Sequence, residues 1–313
     1  MRIAIAGGTG FLGSSLVDPL VRRGHEVVVL TRRPSETPPW SFGTGNPSRV
    51  HVAGWTPDDL EDVWAHLLEG ADVVCNLAGA SIGDARWTPA RKKVMRDSRI
   101  AVTRGLVAAA SSVPAPPSTF ISASGISYYG SRGDEALTEE SSQGTGFLAE
   151  LCAEWEEAAR AAASFARVVI LRTALVLDRD GGVLPRMALP FRFFAGGRLG
   201  SGRQYVSWVH RTDWARLVCW LVENPTVSGP INVAAPEPVT NAVFARALGR
   251  ALGRPSILPA PALALRLVLG SERADELLLA SSRILPARAL EHGFRFRYPH
   301  LDSALDAIYR KPF

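Results

Sequence analysis

Met1-Arg-Ile-Ala-Ile-Ala-Gly-Gly-Thr-Gly-Phe-Leu-Gly13 opens the chain as a short apolar run that enters a glycine turn. Ile3 to Ala6 reads as a buried strand, and Leu16, Val17, Leu20 and Val21 follow at helical spacing. Each glycine answers a separate need. Gly7 makes the tight turn, Gly10 lets backbone approach a pyrophosphate, and Gly13 lets the helix pack on the strand. Phosphate is then met by the free N–H groups and partial positive charge of the helix start. A second strand, Glu26 to Leu30, completes the unit, and this context rather than the triplet alone points to a dinucleotide site.

Working outward, the second strand ends at Thr31-Arg32-Arg33, where an NAD site would carry an acid for the ribose 2′-hydroxyl. Hydroxyl and guanidinium donors suit a 2′-phosphate instead, so NADP(H) is expected, with Thr31, Arg32 and Arg33 among its contacts. Residues 34–47 read as a loop. Val50 to Ala53, Ala71 to Cys75, Thr119 to Ser122 and Arg167 to Val176 read as strands. Pro57 to Leu68, Thr88 to about Ser112 and Gly146 to Phe165 read as helices, the second capped by Thr88-Pro89. Strands alternating with helices predict an α/β, doubly wound parallel sheet, the Rossmann architecture.

From Asp178 the rhythm changes. Leu184 to Phe194 reads as a helix, and a strand (Tyr205 to Val209) with a helix (Thr212 to Glu223) returns towards the sheet. Beyond Gly229 the chain is mostly short helices punctuated by prolines. The expected organisation is a nucleotide domain over 1–228, with 178–205 on the substrate side. A small, mostly helical C-terminal substrate or lid region over 229–313 would leave a cleft between the two.

Composition limits the classes of function. Hydrophobic content of 47% with 21% charged residues is that of an ordinary globular protein. No apolar run approaches the ~20 residues of a membrane helix, and the first residues read as a strand rather than a leader. A cytoplasmic protein off the membrane is expected. Net charge is +5, but the basic residues are scattered among acids, which argues against a nucleic-acid partner. Cys75, Cys152 and Cys219 are far apart and odd in number, which suits buried thiols and no metal site.

The glycine turn, Asn76-Leu-Ala-Gly79, Ser122-Ala-Ser124 and Trp208-Val-His210-x-x-Asp213 together resemble the extended short-chain dehydrogenase/reductases, the nucleotide-sugar epimerase superfamily. Arg86-Trp-Thr88, Asp97 to Ile100, Tyr128-Tyr-Gly130, Phe147-Leu-Ala149, Trp155-Glu156, Gly200 to Tyr205, Asn241 to Phe244 and Gly293 to Pro299 resemble its atypical YfcH-like branch. The resemblance covers essentially the whole chain and implies pyrophosphate on Gly7, Gly10, Phe11, Leu12 and Gly13. It further implies that Leu77, Ala78 and Gly79 line the adenine ribose and nicotinamide side. Ser124, with Ser122 as the alternative, would hydrogen-bond the reacting oxygen of the substrate.

Ordinary relatives rely on a Tyr with a Lys four residues later, the cation holding down the phenol pKa. This chain cannot supply that pair. Its lysines are Lys92, Lys93 and Lys311, and Thr88, Pro89 and Ala307 stand four positions before them. Phe147/Leu151 or Leu148/Cys152 occupy the expected places. Arg99 stands where relatives keep a relay asparagine, and Val206 roughly where sugar-nucleotide enzymes keep an arginine for the diphosphate. The polar residues left near the cleft include Ser127, Tyr129, Glu150, Arg203, Gln204 and His210. Tyr128 is the candidate proton donor and Arg99 the candidate positive charge. His210 with Asp213 is expected to tie strand to helix, Cys152 to be a buried small hydrophobe, and Glu154, Glu156 and Glu157 to form a solvated face. Two functions remain in view. One is an NADP-dependent oxidoreductase or epimerase on a small polar or aromatic carbonyl or alcohol, and the other is a non-catalytic NADP(H) sensor. Either is compatible with a monomer or a homodimer.

Overall fold

The computed structural model describes residues 1–56 and 63–310. The first half supplies β1 (Arg2–Ala6), α1 (Ser14–Arg22), β2 (Glu26–Thr31), β3 (Val50–Gly54), β4 (Val73–Asn76), α2 (Pro89–Ser112), β5 (Thr119–Gly125) and β6 (Ala136–Leu137). It continues with α3 (Phe147–Arg160), β7 (Arg167–Thr173), β8 (Leu175–Leu177), α4 (Leu184–Arg192), β9 (Tyr205–Val206), β10 (Trp208–His210), α5 (Arg211–Glu223) and β11 (Gly229–Val233). Then follow β12 (Val239–Thr240), α6 (Asn241–Leu252), α7 (Ala262–Leu269), α8 (Ser271–Ala274), β13 (Arg283–Ile284), α9 (Ala287–Glu291) and α10 (Leu301–Tyr309).

Seven strands form one parallel sheet in the order β11-β7-β5-β4-β1-β2-β3. The order reverses between β1 and β4, and in such sheets ligands bind beyond the carboxyl ends at that switch point. β1 shows why its residues specify this place. Ile3 and Ile5 enter a cluster with α1 and α5, whereas Ala4 and Ala6 face the opposite layer with Leu106, Ala109 and Ala110 of α2. Large residues on one side and small ones on the other let two helix layers pack at different depths. α2 begins where Thr88 accepts from the Arg91 N–H, as its Thr-Pro start predicts.

Four expectations change. Of the helix expected over 57–68, residues 57–62 lie outside the described residues, and Val63–Leu68 is a 3-10 segment. The strand expected to run to Val176 ends at Thr173, and β8 leaves the sheet to pair with β10. The strand expected over 205–209 splits at Ser207, whose hydroxyl donates to Ser282 O and accepts from Ile284 N–H. Neither half joins the main sheet. The seventh strand is β11, which pairs with β7, although it was grouped with the C-terminal unit in the sequence reading. The C-terminal helices otherwise gather a separate core in which Phe244 and Leu248 of α6 meet Phe191, Trp208, Leu301 and Leu305.

Candidate functional site

The glycine turn sits at the switch point, against the loop that follows β4. A Cβ on Gly7 (φ 78°) would lie 2.9 Å from Leu77 carbonyl and Ala78 N. One on Gly13 would lie 2.3 Å from Gly7 O. At Gly10 a Cβ would meet only Gly7 O, at 3.2 Å, so the remaining side of the turn is an open cradle. Among the described residues the Phe11, Leu12 and Gly13 N–H groups have no hydrogen-bond partner. Three free amides around an open glycine turn fit a pyrophosphate. The sequence-predicted residues Leu77 and Ala78 are part of the same wall, and Leu77 N–H donates to Ala6 O. Arg211 was not anticipated. It donates to Phe11 O (2.7 Å) and Ser14 Oγ (3.0 Å), with its guanidinium over the Phe11 ring, and so braces the turn from beneath.

At the end of β2 the three expected 2′-phosphate contacts separate into different roles. Thr31 is buried and its hydroxyl accepts from Arg33 N–H at 3.3 Å. Arg33 pairs with Glu36 at 3.3 Å. Arg32 is exposed and has no hydrogen-bond or ion-pair partner among the described residues. It is the free cation of the three.

The end of β5 holds a network that sequence reasoning missed. Ser124 pairs in register with Arg172 of β7, and Ser124 Oγ donates to Glu156 Oε1 at 2.9 Å. Arg172 grips both carboxylate oxygens at 2.8 Å, Arg160 adds a bond at 2.9 Å, and Glu156 is 1% exposed. Glu156 therefore corrects the expected solvated face: it is buried beside the β5 end, while Glu154 pairs with Arg96 at half-exposed positions. Burial alone would lower the Arg172 pKa, but the hydrogen bonds and charge of Glu156 raise it above the ordinary value. Tyr129 is fully buried, donates to Asn232 Oδ1 (2.7 Å) and accepts from Arg172 (2.9 Å). Burial pushes its phenol up to about 12, so it is a strut rather than an acid. Tyr128 stacks on the residue that pairs in register with Ser124. Its ring covers the Arg172 guanidinium at 3.6 Å.

Cys152 lies behind Gly125, and burial pushes its thiol up to about 11. Leu148, one turn earlier, lines the cleft. Arg99 lies beside Gly79, where a Cβ would come within 3.2 Å of its guanidinium carbon. It stacks over Trp155 at 5.1 Å, donates to Met95 O, and burial lowers its pKa. His210 caps α5, Nδ1 accepting from Thr212 N–H at 3.0 Å. Gln204 donates to Leu199 O and Leu278 O, a structural role, while Glu150 and Arg203 are exposed.

Two adjoining spaces open beyond the strand ends. A chamber of about 410 Å³ is lined by Ser127, Thr145, Leu148 and Thr173. It adjoins a cavity of about 970 Å³ bounded by Phe11, α4, α6 and α7. Ser127 rather than Ser124 reaches the chamber. Among the described residues no helix is long and apolar enough to cross a membrane.

Residues 3–234 match the NAD dependent epimerase/dehydratase family, and residues 260–308 match a domain of unknown function, DUF1731. An epimerase family protein of Mycobacterium bovis is 41% identical over 99% of this chain and 98% of its own length. The crystal structure of human epimerase family protein SDR39U1 with NADPH superposes with a TM-score of 0.88 at 34% identity, covering 100% of both chains. A UDP-glucuronic acid 4-epimerase from Bacillus cereus, 19% identical with a TM-score of 0.78 over 99% of this chain and 98% of its own, shares the fold. The glycine turn at a Rossmann switch point, the match over 3–234 and the full-length likeness to SDR39U1 lead to one conclusion: the chain belongs to the NAD dependent epimerase/dehydratase family, in its SDR39U1-like branch.

Proposed function

We propose that this protein binds NADP(H) at the glycine turn and works as an atypical oxidoreductase or epimerase on a small carbonyl or alcohol compound. The single observation that carries the reading is the open nest of Phe11, Leu12 and Gly13 amides, set against Leu77 and Ala78. Arg32, free at the end of β2, is the group for the 2′-phosphate, with Thr31 holding the backbone beneath it. The NADPH in the human relative supports this choice of nucleotide. When bound, the nicotinamide supplies or accepts hydride, and a proton must move with it at the substrate oxygen.

Proton handling falls to residues other than a Tyr/Lys pair. Ser127 hydroxyl lines the chamber and is the donor for the substrate oxygen. Ser124, the position favoured by family resemblance, acts one layer back with Glu156 and Arg172, fixing the end of β5. Tyr128 stacks on the same Arg172 and orients that layer. Arg99, lacking a carboxylate partner among the described residues, provides positive charge beside Gly79.

A second reading is a non-catalytic redox sensor, favoured by Leu148 and by a Cys152 thiol held up at about 11, neither of which transfers protons near neutral pH. One experiment tests both parts. Titration with NADPH and NADH should show Arg32→Ala weakening NADPH by about 10- to 100-fold, a charge-assisted bond, and NADH little. Equal loss for both nucleotides would remove the 2′-phosphate assignment. Turnover of a carbonyl panel that is reduced in Ser127→Ala supports the enzyme. Tight NADPH binding without turnover supports the sensor.

A further inference from the structure

We infer that the compound taken by this site has a bulky apolar body carrying one small oxygen function, with the body seated in the 970 Å³ cavity between α4, α6 and α7. This narrows the reading above and rests on it only for the nucleotide. The cavity is at the upper end of the ~300–1,000 Å³ usual for small-molecule sites. Leu175, Met187, Phe191, Phe244, Leu248 and Leu265 are among its wall residues, and their side chains offer no hydrogen bond. Several polar groups on its border already have protein partners, while Arg273 Nε is buried with none among the described residues. Arg186 holds Asp84 (2.8 Å) and Gly83 O (3.0 Å), Arg273 donates to the same carbonyl, and Asn241 Oδ1 accepts from Leu199 N–H at 2.7 Å.

The several hydroxyls of a sugar nucleotide would meet few partners along that apolar wall. Val206, on the chamber wall, adds no charge for a diphosphate. The two spaces share Ile82, Leu175, Val183 and Met187 as wall residues, so they adjoin. Ser127 lines the smaller chamber, where its hydroxyl meets an oxygen function. Phe11 belongs both to the glycine turn and to the apolar wall, which puts the body of the guest next to the nucleotide site.

The test is displacement of Nile red from the full-length protein, with and without NADPH, by an aldehyde series from butanal to decanal and by UDP-glucose. Affinity should rise about fourfold per added methylene, the transfer free energy of a buried CH₂. Ala264→Trp and Met187→Trp, which fill the cavity from α7 and α4, should abolish that gain. Leu267→Ser, exposed on α7 and off the cavity wall, should leave it intact. No dependence on chain length, or displacement by UDP-glucose in preference to decanal, overturns the inference. If the aldehyde series behaves as expected while NADPH fails to bind, the cavity assignment stands and the NADP(H) reading falls.

Discussion

Gly13 is the position least able to change. Any side chain there starts 2.3 Å from Gly7 O and 2.6 Å from Gly8 Cα, both backbone atoms of the same turn. Gly13→Ala must pry the turn open, a strain of about 1–3 kcal/mol. Calorimetry should find NADPH affinity at least about tenfold weaker, and a thermal melt should show a lower Tm. His210 carries a pH signature. Burial lowers its pKa from 6.5, chiefly by desolvation, and Nδ1 must stay unprotonated to accept from Thr212. Above the unfolded-state pKa its contribution is complete. As pH falls below that value the unfolded chain takes the proton first, and stability declines towards the folded pKa. His210→Asn keeps a cap acceptor without the titration, so its Tm should fall less than wild type between about pH 7 and pH 5.

Among elements, α3 has its start supplied from far along the chain. Gly146 precedes it with φ 109° and gives no side-chain cap. Glu276 does so instead, accepting Phe147 N–H at 2.9 Å and Leu148 N–H at 2.8 Å on its two oxygens. Glu276→Ala strips both amides at a helix N-terminus and should cost about 1–3 kcal/mol in urea unfolding, with Glu276→Gln intermediate. This contact also marks where sequence reading stops. The glycine turn, Thr88-Pro89 and the buried strand β1 are legible because each is decided by neighbours within a few residues. Glu276 and Phe147 are 129 positions apart, and nothing local announces their meeting. Glu156 failed for a related reason. It lies among Glu154 and Glu157, and only its spacing of four from Cys152 hinted that it faces inward. Its partner, Arg172, is a charge inside an apolar strand, and such a charge calls for a buried counterion. β8 and β10 were read as parts of longer strands because periodicity does not reveal which sheet a strand joins.

At the scale of the molecule, the C-terminal segment is built into the Rossmann half. Asp213 of α5 is fully buried and accepts Arg297 N–H (2.8 Å) and Tyr298 N–H (2.7 Å), so residues near the chain end complete a carboxylate in the nucleotide half. Leu301 and Leu305 of α10 pack in the cluster with Phe244 and Trp208. A chain ending at residue 259 would uncover that cluster and leave Asp213 short of two donors. It should show no cooperative thermal transition by circular dichroism, whereas the full chain should melt in one step.

The Glu276 bridge has a kinetic corollary. Swinging the two halves apart, as a hinge would, bares two amides and a carboxylate at once, so traffic in and out of the interior has to take another route. α7 has no fully buried residue, and Leu263, Leu267 and Val268 are largely exposed along it. Residence time of a guest should therefore follow the fraying of that one short helix, and amide hydrogen exchange across residues 262–269 should slow on loading while α3 stays unchanged.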